Sequence, residues 1–306
     1  MKRVVGISLG SSTRDKTSRV EILSHDFEIS RIGTDGSLAR FADLMREWDG
    51  KADAIGLGGM DRYLWIDDRR YVVRDADRLA RIAKTTPVVD GSGVKNTLER
   101  RTIAYLQDNG VVDFRKSKVL LVCAVDRFGM AQSIADICPD VVYGDLMFNL
   151  GIPIPMRSYA VVRTLGKMLL PVIVKLPFKW LYPTGEKQET ARPRYRGFYR
   201  WADVVAGDFH LIRRTLPEPG SGLLDGKVVV TNTVTEEDKQ MLAERGVRLL
   251  VTSTPEYGGR RYGNNVFEAV MVAALGKRPE DVTTDDYETL LEDMQWRPDV
   301  ARLQAE

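Results

Sequence analysis

The chain has 306 residues, 43% of them hydrophobic and 29% charged, and it sets 45 Lys and Arg against 43 Asp and Glu for a net charge of +2. That length suits about two domains of ~100–200 residues, with a core that needs neither metal nor disulfide. The charge balance excludes the global basic field of a nucleic-acid binder. Two cysteines, Cys123 and Cys138, and two histidines, His25 and His210, exclude a disulfide scaffold and argue against a Cys- or His-rich metal centre. MKRVVGISLG at the start has no long apolar run and no cleavage-type site, so no signal peptide is expected, and a reduced, cytoplasmic protein is.

In chain order, VVGISLG (4–10) is an apolar run closed by Gly10-Ser11, as in a buried strand, and SRVEILS (18–24) alternates like a strand with one wet face. Ser37 caps a predicted helix with Leu38, Phe41, Met45 and Trp48 on one face and Asp49-Gly50 at its end. ADAIGLGG (52–59) predicts another buried strand, and YLWIDDRRYVV (63–73) a hairpin around Asp67-Asp68. A short helix over 75–84, a strand in TPVVDG (86–91) and a longer helix over 94–109 follow. Then the rhythm changes. KVLLVCAV (118–125), DVVYGD (140–145), ADVVAGD (202–208), KVVVTNT (227–233) and VRLLVTST (247–254) predict apolar strands, with helices over 129–137 and 235–245. Such alternation predicts a parallel sheet covered by helices on both faces. The most apolar stretch, 160–182, contains Arg163, Lys167, Lys175, Lys179, Pro171 and Pro177. It predicts two short helices rather than a membrane span, with contact to a membrane surface or a second copy as the other reading. YPTGEKQE (182–189) leaves it as a polar turn, consistent with a lid.

Ligands of open parallel sheets bind beyond the carboxyl ends of the strands. Those ends carry Ala124 to Gly129, Gly144-Asp145, Gly207 to His210, Thr231-Asn232-Thr233 and Thr252-Ser253-Thr254, a polar rim that helix capping also explains. A dinucleotide fold places G-x-G-x-x-G after its first strand. Here CAVDRFG (123–129) keeps only Gly129, with Asp126 repelling a phosphate and Arg127 offsetting it. Asp145 closes the second strand, where a carboxylate takes ribose hydroxyls and favours NAD over NADP. The candidate cofactor residues are thus Val125, Asp126, Arg127, Gly129, Asp145, Thr231, Asn232 and Thr252. A second constellation, DGSGVKNT (90–97), ends a strand and opens a helix. Asp90 and Lys95 facing one cleft make a proton-transfer pair; a plain strand–turn–helix joint with a surface lysine is the alternative. His210, beside Arg213 and Arg214, is either an acid or anion ligand or part of a capped turn.

From Asp90 to Asp145 the chain resembles the domain junction of the shikimate/quinate 5-dehydrogenases, which have N-T-D-G-x-G, a helix, a basic linker and a dinucleotide-binding strand–turn–helix. This chain has VVDGSG at 88–93, a helix, RKSK at 115–118 and then the strand. GGRRYGNNVFEAVMVAALGKRPED (258–281) resembles that family's substrate-binding loop and helix. VVDGSGVKNTLERR, VDRFGMA, YPTGEKQE and AGDFH are similar to signatures of bacterial proteins labelled quinate 5-dehydrogenase. The resemblance implies that Asp90 bonds a ring hydroxyl, that Asn265 stands near the family's substrate-binding Gln, and that Arg260, Arg261 or Lys95 meets a substrate carboxylate. The family's N-V-T-x-P-x-K motif, with its catalytic Lys, does not occur before Asp90.

The expectation is therefore an α/β protein with an N-terminal α/β substrate-type domain (1–110) and a Rossmann-like nucleotide-binding domain (111–275) bearing an apolar helical insertion at 150–200. A C-terminal helical tail (276–306) completes it, with a C-terminal helix returning to the first domain. The resemblance implies an NAD(P)-dependent oxidoreductase acting on a hydroxylated cyclic acid. Its catalytic residues would be Asp90 and Lys95, and its substrate residues Asn96, His210, Arg260 and Asn265. Partners are a small-molecule substrate, no nucleic acid, no membrane span, and a homo-oligomer as a compatible state. The rival reading is a non-catalytic nucleotide- or metabolite-binding protein on the same fold, favoured by the absent Lys motif and the glycine-poor turn.

Overall fold

The computed structural model describes residues 1–67, 69–177, 193–254, 256–257 and 260–304. In chain order its elements are β1 (Lys2–Ser8), β2 (Lys16–Ile22), β3 (His25–Gly33), α1 (Leu38–Trp48), β4 (Ala54–Gly58), β5 (Tyr63–Ile66), β6 (Arg69–Val72), α2 (Arg74–Ala80), β7 (Val88–Val89) and α3 (Ser92–Asp108). Then come β8 (Lys118–Leu121), α4 (Phe128–Ile137), β9 (Asp140–Tyr143), a π-helical turn (Asp145–Asn149), α5 (Tyr159–Ile173), α6 (Arg196–Trp201), β10 (Val204–Ala206) and α7 (Phe209–Thr215). The last are β11 (Val228–Thr231), α8 (Glu236–Ala243), β12 (Leu249–Thr252), β13 (Glu256–Tyr257), β14 (Arg260–Arg261), α9 (Asn264–Leu275), α10 (Thr284–Asp293) and β15 (Asp299–Arg302).

Two sheets organise the chain. The first runs β2-β3-β1-β4-β7, parallel apart from β2. The second runs β15-β12-β11-β10-β8-β9, parallel apart from β15. The protein is thus α/β and Rossmann-like, as the alternating pattern predicts. Counted from β8, the parallel order is 2-1-3-4-5, so the sheet reverses direction between β8 and β10. That reversal is the switch point where doubly wound sheets open a crevice. The strands are apolar on both faces because helices cover both. Val119 and Leu121 pack with Ile103, Leu106, Met130 and Ile134, while Leu120, Val205, Val229 and Leu250 pack with Tyr199, Ile212 and Leu242.

The first sheet is covered on one face by α1 and α2, through Phe41, Met45, Ala76 and Ala80. Its other face is covered by α9, through Val266, Ala269, Val270 and Ala273. This is the predicted return of a C-terminal helix. It requires glycine below it: a Cβ on Gly56 would stand 2.5 Å from the Asn265 carbonyl oxygen. Thus α9, inside the 111–275 segment, is spatially part of the first layer. The tail is not helical throughout, since β15 returns to pair antiparallel with β12.

Three further differences are local. β3 sits between β2 and β1 although the sequence reading passed over it. α5 continues through Pro171, which lies in its last turn, to Ile173; the end of the predicted helix pair at 178–182 and the YPTGEKQE turn lie outside the described residues. β8 ends at Leu121, so Cys123 lies just past the strand; it is fully buried, and burial pushes its thiol up. Cys138 is buried too.

Candidate functional site

Three segments meet where the two sheets face each other: the turn after β4, the first turns of α3, and the turn from β8 into α4. Lys95 on α3 brings its Nζ to 2.8 Å from Asp126 Oδ1 and 3.4 Å from Asp61 Oδ1. The Asp61 and Asp126 carboxyls also hydrogen-bond each other. Their side chains stay 25% and 29% exposed, against 11% for Lys95, so solute can reach the carboxyls while the ammonium is held behind them.

These groups split in charge. Burial pushes Asp61 up, helped by Asp126 and Asp90 and opposed by Lys95, to about 7. For Asp126 burial works in the same direction, but Lys95 and Arg127 outweigh it and hold the carboxyl at about 2. Burial disfavours the Lys95 ammonium, yet Asp126 and Asp61 overcome it and raise its pKa, so it stays charged. One carboxyl thus exchanges a proton near neutrality while its neighbour remains an anion, the division expected of an acid–base set.

The cleft above this cluster is lined by Tyr63, Trp65, Asn96, Glu99, Asp126 and Phe128 among others. About 260 Å³ of empty space lies over these residues with open solvent counted in, so the cleft is a shallow hollow and not an enclosed cavity. Two buried polar atoms on its wall, Glu99 Oε2 and Trp65 Nε1, have no hydrogen-bond partner among the described residues.

The turn after β8 is different. Asp145 accepts from the N–H of Ala124 at 2.9 and 3.0 Å and from that of Val125 at 2.9 Å. Its carboxyl is buried, and burial pushes it up to about 6 against the pull of those N–H groups. In a dinucleotide fold the backbone of this turn faces pyrophosphate. Here the protein's own carboxylate fills that cradle, and the ionised Asp126 stands next to it. The residues present do not fit a pyrophosphate in that manner, so Asp145 is not directed at a ribose. Arg127 is also committed inward: it bonds Glu99 Oε1 at 2.6 Å and Asp208 Oδ2 at 2.8 Å with 3% of its side chain exposed. Gly129 lets α4 meet α3, since a Cβ there would collide with the Asn96 side chain.

The other candidates divide similarly. Asp90 Oδ2 accepts from the N–H groups of Arg62 (2.6 Å) and Tyr63 (2.9 Å), and Oδ1 from the N–H (3.1 Å) and hydroxyl (2.7 Å) of Ser92. A carboxylate has about four acceptor sites, so Asp90 is spent as a clamp on the turn. Thr231 donates to the Gly207 carbonyl, and Asn232 joins Asp208 and the N–H of Phe209. These are ties between strand ends, as capping predicts. Thr252 is buried, and exposed His210 donates its backbone N–H to the capping Asp208. Asn265 lies against Gly56 and Gly91 at the start of α9, outside the cleft lining. The Arg260 side chain lies outside the described part. Lys95, Asn96, Val125, Asp126 and Gly129 are the candidates gathered at the cleft.

Asp61, Glu99 and Trp65 were missed. Asp61 stands three residues past β4, so the strand-end rule, applied to the first sheet as well as the second, would have found it. Glu268 was missed too. It accepts from the Gly91 N–H and from Tyr287 Oη, both at 2.6 Å, and fixes the start of α3. Among the described residues no group of His, Cys, Asp and Glu is arranged to hold a metal ion, and no helix is long and apolar enough to cross a membrane.

Comparison with known proteins adds little to this geometry. No curated protein matches the chain. Among solved structures, a putative malic enzyme (malate oxidoreductase) is similar at 11% identity and a TM-score of 0.39, over 96% of this chain and 83% of that one. A galactofuranose binding protein is similar at 13% and 0.38, over 96% and 99%. The NAD-dependent malic enzyme of Thermotoga maritima is similar at 11% and 0.35, over 96% and 84%. Likenesses this distant leave the function to be read from the site. Family models are more definite. One described as a domain of unknown function, DUF8753, matches residues 3–90, and a second, DUF8754, matches 93–303. The two abut at the Asp90–Gly93 turn, and since the second covers most of the sequence, the chain belongs to the domain-of-unknown-function family DUF8754.

Proposed function

We propose that the protein is an enzyme that binds a small hydroxylated acid in the cleft between its two sheets and moves a proton at a ligand hydroxyl. The observation that carries this reading is the Lys95 ammonium held between Asp61 and Asp126, one carboxyl titrating near neutrality and the other fixed as an anion. In these roles Asp61 accepts or returns the proton, Asp126 keeps Lys95 charged and in place, and Lys95 stabilises negative charge developing on the ligand oxygen.

The resemblance at 88–145 and 258–281 supports the narrower form of this reading, an NAD(P)-dependent oxidoreductase of the quinate/shikimate type. The Asp145-filled turn supports its rival, a metabolite-binding protein without hydride transfer. The experiment titrates quinate and shikimate by calorimetry, each with and without NAD or NADP, in buffers of different ionisation enthalpy near pH 7. Binding to the wild type should exchange a proton, and Asp61→Asn should abolish that exchange while lowering any turnover about 10²–10⁴-fold. Growth of reduced-cofactor absorbance selects the oxidoreductase, and binding without it selects the rival. Proton exchange or turnover unchanged in Asp61→Asn overturns the assignment.

A further inference from the structure

We propose that the outer face of α5 docks the protein on an anionic lipid surface. The buried side of this helix is Val162, Gly166 and Leu170. On its opposite side Val161, Met168, Leu169 and Val172 project outward, with Met168 68% and Val172 63% exposed. At 161, 168, 169 and 172 they follow the helical repeat and form one stripe, so α5 is apolar on two sides. The segment leading into it adds Leu150, Ile152 and Ile154, also exposed. Seven of the chain's exposed large hydrophobic residues thus fall within 150–172, where a soluble surface ordinarily scatters them.

Charge chooses the occupant. Residues 146–177 and 193–202 carry Arg157, Arg163, Lys167, Lys175, Arg194, Arg196 and Arg200 and no acidic residue, in a chain that elsewhere mixes both signs. Arg163 and Lys167 border the buried side of the helix and share the single carboxylate of Asp67, so positive charge remains in excess on α5. Lys175 continues the line past the end of the helix, and Arg194 lies near Gly151. Aliphatic side chains edged by lysine and arginine match the boundary between acyl chains and anionic headgroups. A second copy of this chain fits poorly, because pairing two such faces would set like charges against each other.

The test is co-sedimentation of the full chain with vesicles of phosphatidylcholine alone and of equal parts phosphatidylcholine and phosphatidylglycerol. The wild type should pellet with the anionic vesicles only, and high salt should release it. Met168→Ser with Val172→Ser should weaken binding about tenfold or more, and Lys175→Glu less, with melting temperatures unchanged because all three side chains are already in water. Equal pelleting with both vesicle types, no pelleting, or a doubly substituted protein that binds like the wild type overturns the proposal. So does a wild type that sediments as a dimer which the double substitution splits, since a second copy would then cover the stripe. None of these outcomes depends on what the cleft binds.

Discussion

Val125 and Asp126 are adjacent in sequence, yet each meets an aspartate used in an opposite way. The Val125 N–H belongs to a turn that Asp145 has closed: three N–H···O contacts, no cation, and almost no solvent. Asp126 belongs to a cluster with a shared ammonium, a second carboxyl and a quarter of the carboxyl surface open to the cleft. A carboxylate saturated by backbone N–H groups holds a loop. One paired with another carboxyl across a lysine, and reachable from outside, holds a proton that chemistry can use. Residue type and place at a strand end do not separate the two cases; the partners do.

The hardest way to break the contrast is to remove Arg127, the buried cation beside Asp126. Arg127→Met leaves Glu99 and Asp208 buried without their partner and should cost about 3–5 kcal/mol in urea unfolding. A loss below about 1 kcal/mol would mean that the two carboxyls do not depend on Arg127. Next in size, Asp145→Ala should cost about 1–3 kcal/mol by leaving buried N–H groups unpaired. It should also give a melting temperature that rises with inorganic phosphate, which the wild type lacks. A variant indifferent to phosphate would show that the turn is no anion cradle even when emptied.

The third effect is a slope. Burial, with Asp90 nearby, pushes Glu268 up to about 8 from an ordinary value of 4.5. A carboxyl raised on folding contributes stability that is complete below its unfolded pKa and is lost as pH rises through the folded one. The wild type should therefore weaken steadily from about pH 4.5 to about pH 8 and level off above that. Glu268→Gln, which keeps an acceptor for the Gly91 N–H, should flatten that decline in melting temperature. An unchanged slope would place the titration elsewhere, with Asp61 and Asp145 the next groups to substitute.

What the sequence disclosed follows from how far apart the cooperating residues lie. β8, β10, β11 and β12 are continuous apolar runs because both faces are buried, and that pattern is local. β3 buries Phe27 and Ile29 but interleaves them with charged side chains such as Glu28, which pairs with Arg19, so its short alternation resembles a polar connection. Lys95 was legible from DGSGVK. Its partner Asp61 stands 34 residues earlier and reaches it only through the β4–β7 pairing. The clamp role of Asp90 was hidden for the same reason, since two of its donors come from the backbone of Arg62 and Tyr63.

The path of the chain between the sheets has one more consequence. It leaves the first sheet after β7, builds the second through β12, returns as α9 to cover β1 and β4, and crosses again so that β15 can extend the second sheet. Residues 3–90 alone would expose Val4, Phe27, Ile29 and Ala54, all buried beneath α9 in the whole molecule. The boundary between the two family models at the Asp90–Gly93 turn is therefore not a boundary of cooperativity: each part needs the other to finish its core, so they should melt together in a single transition.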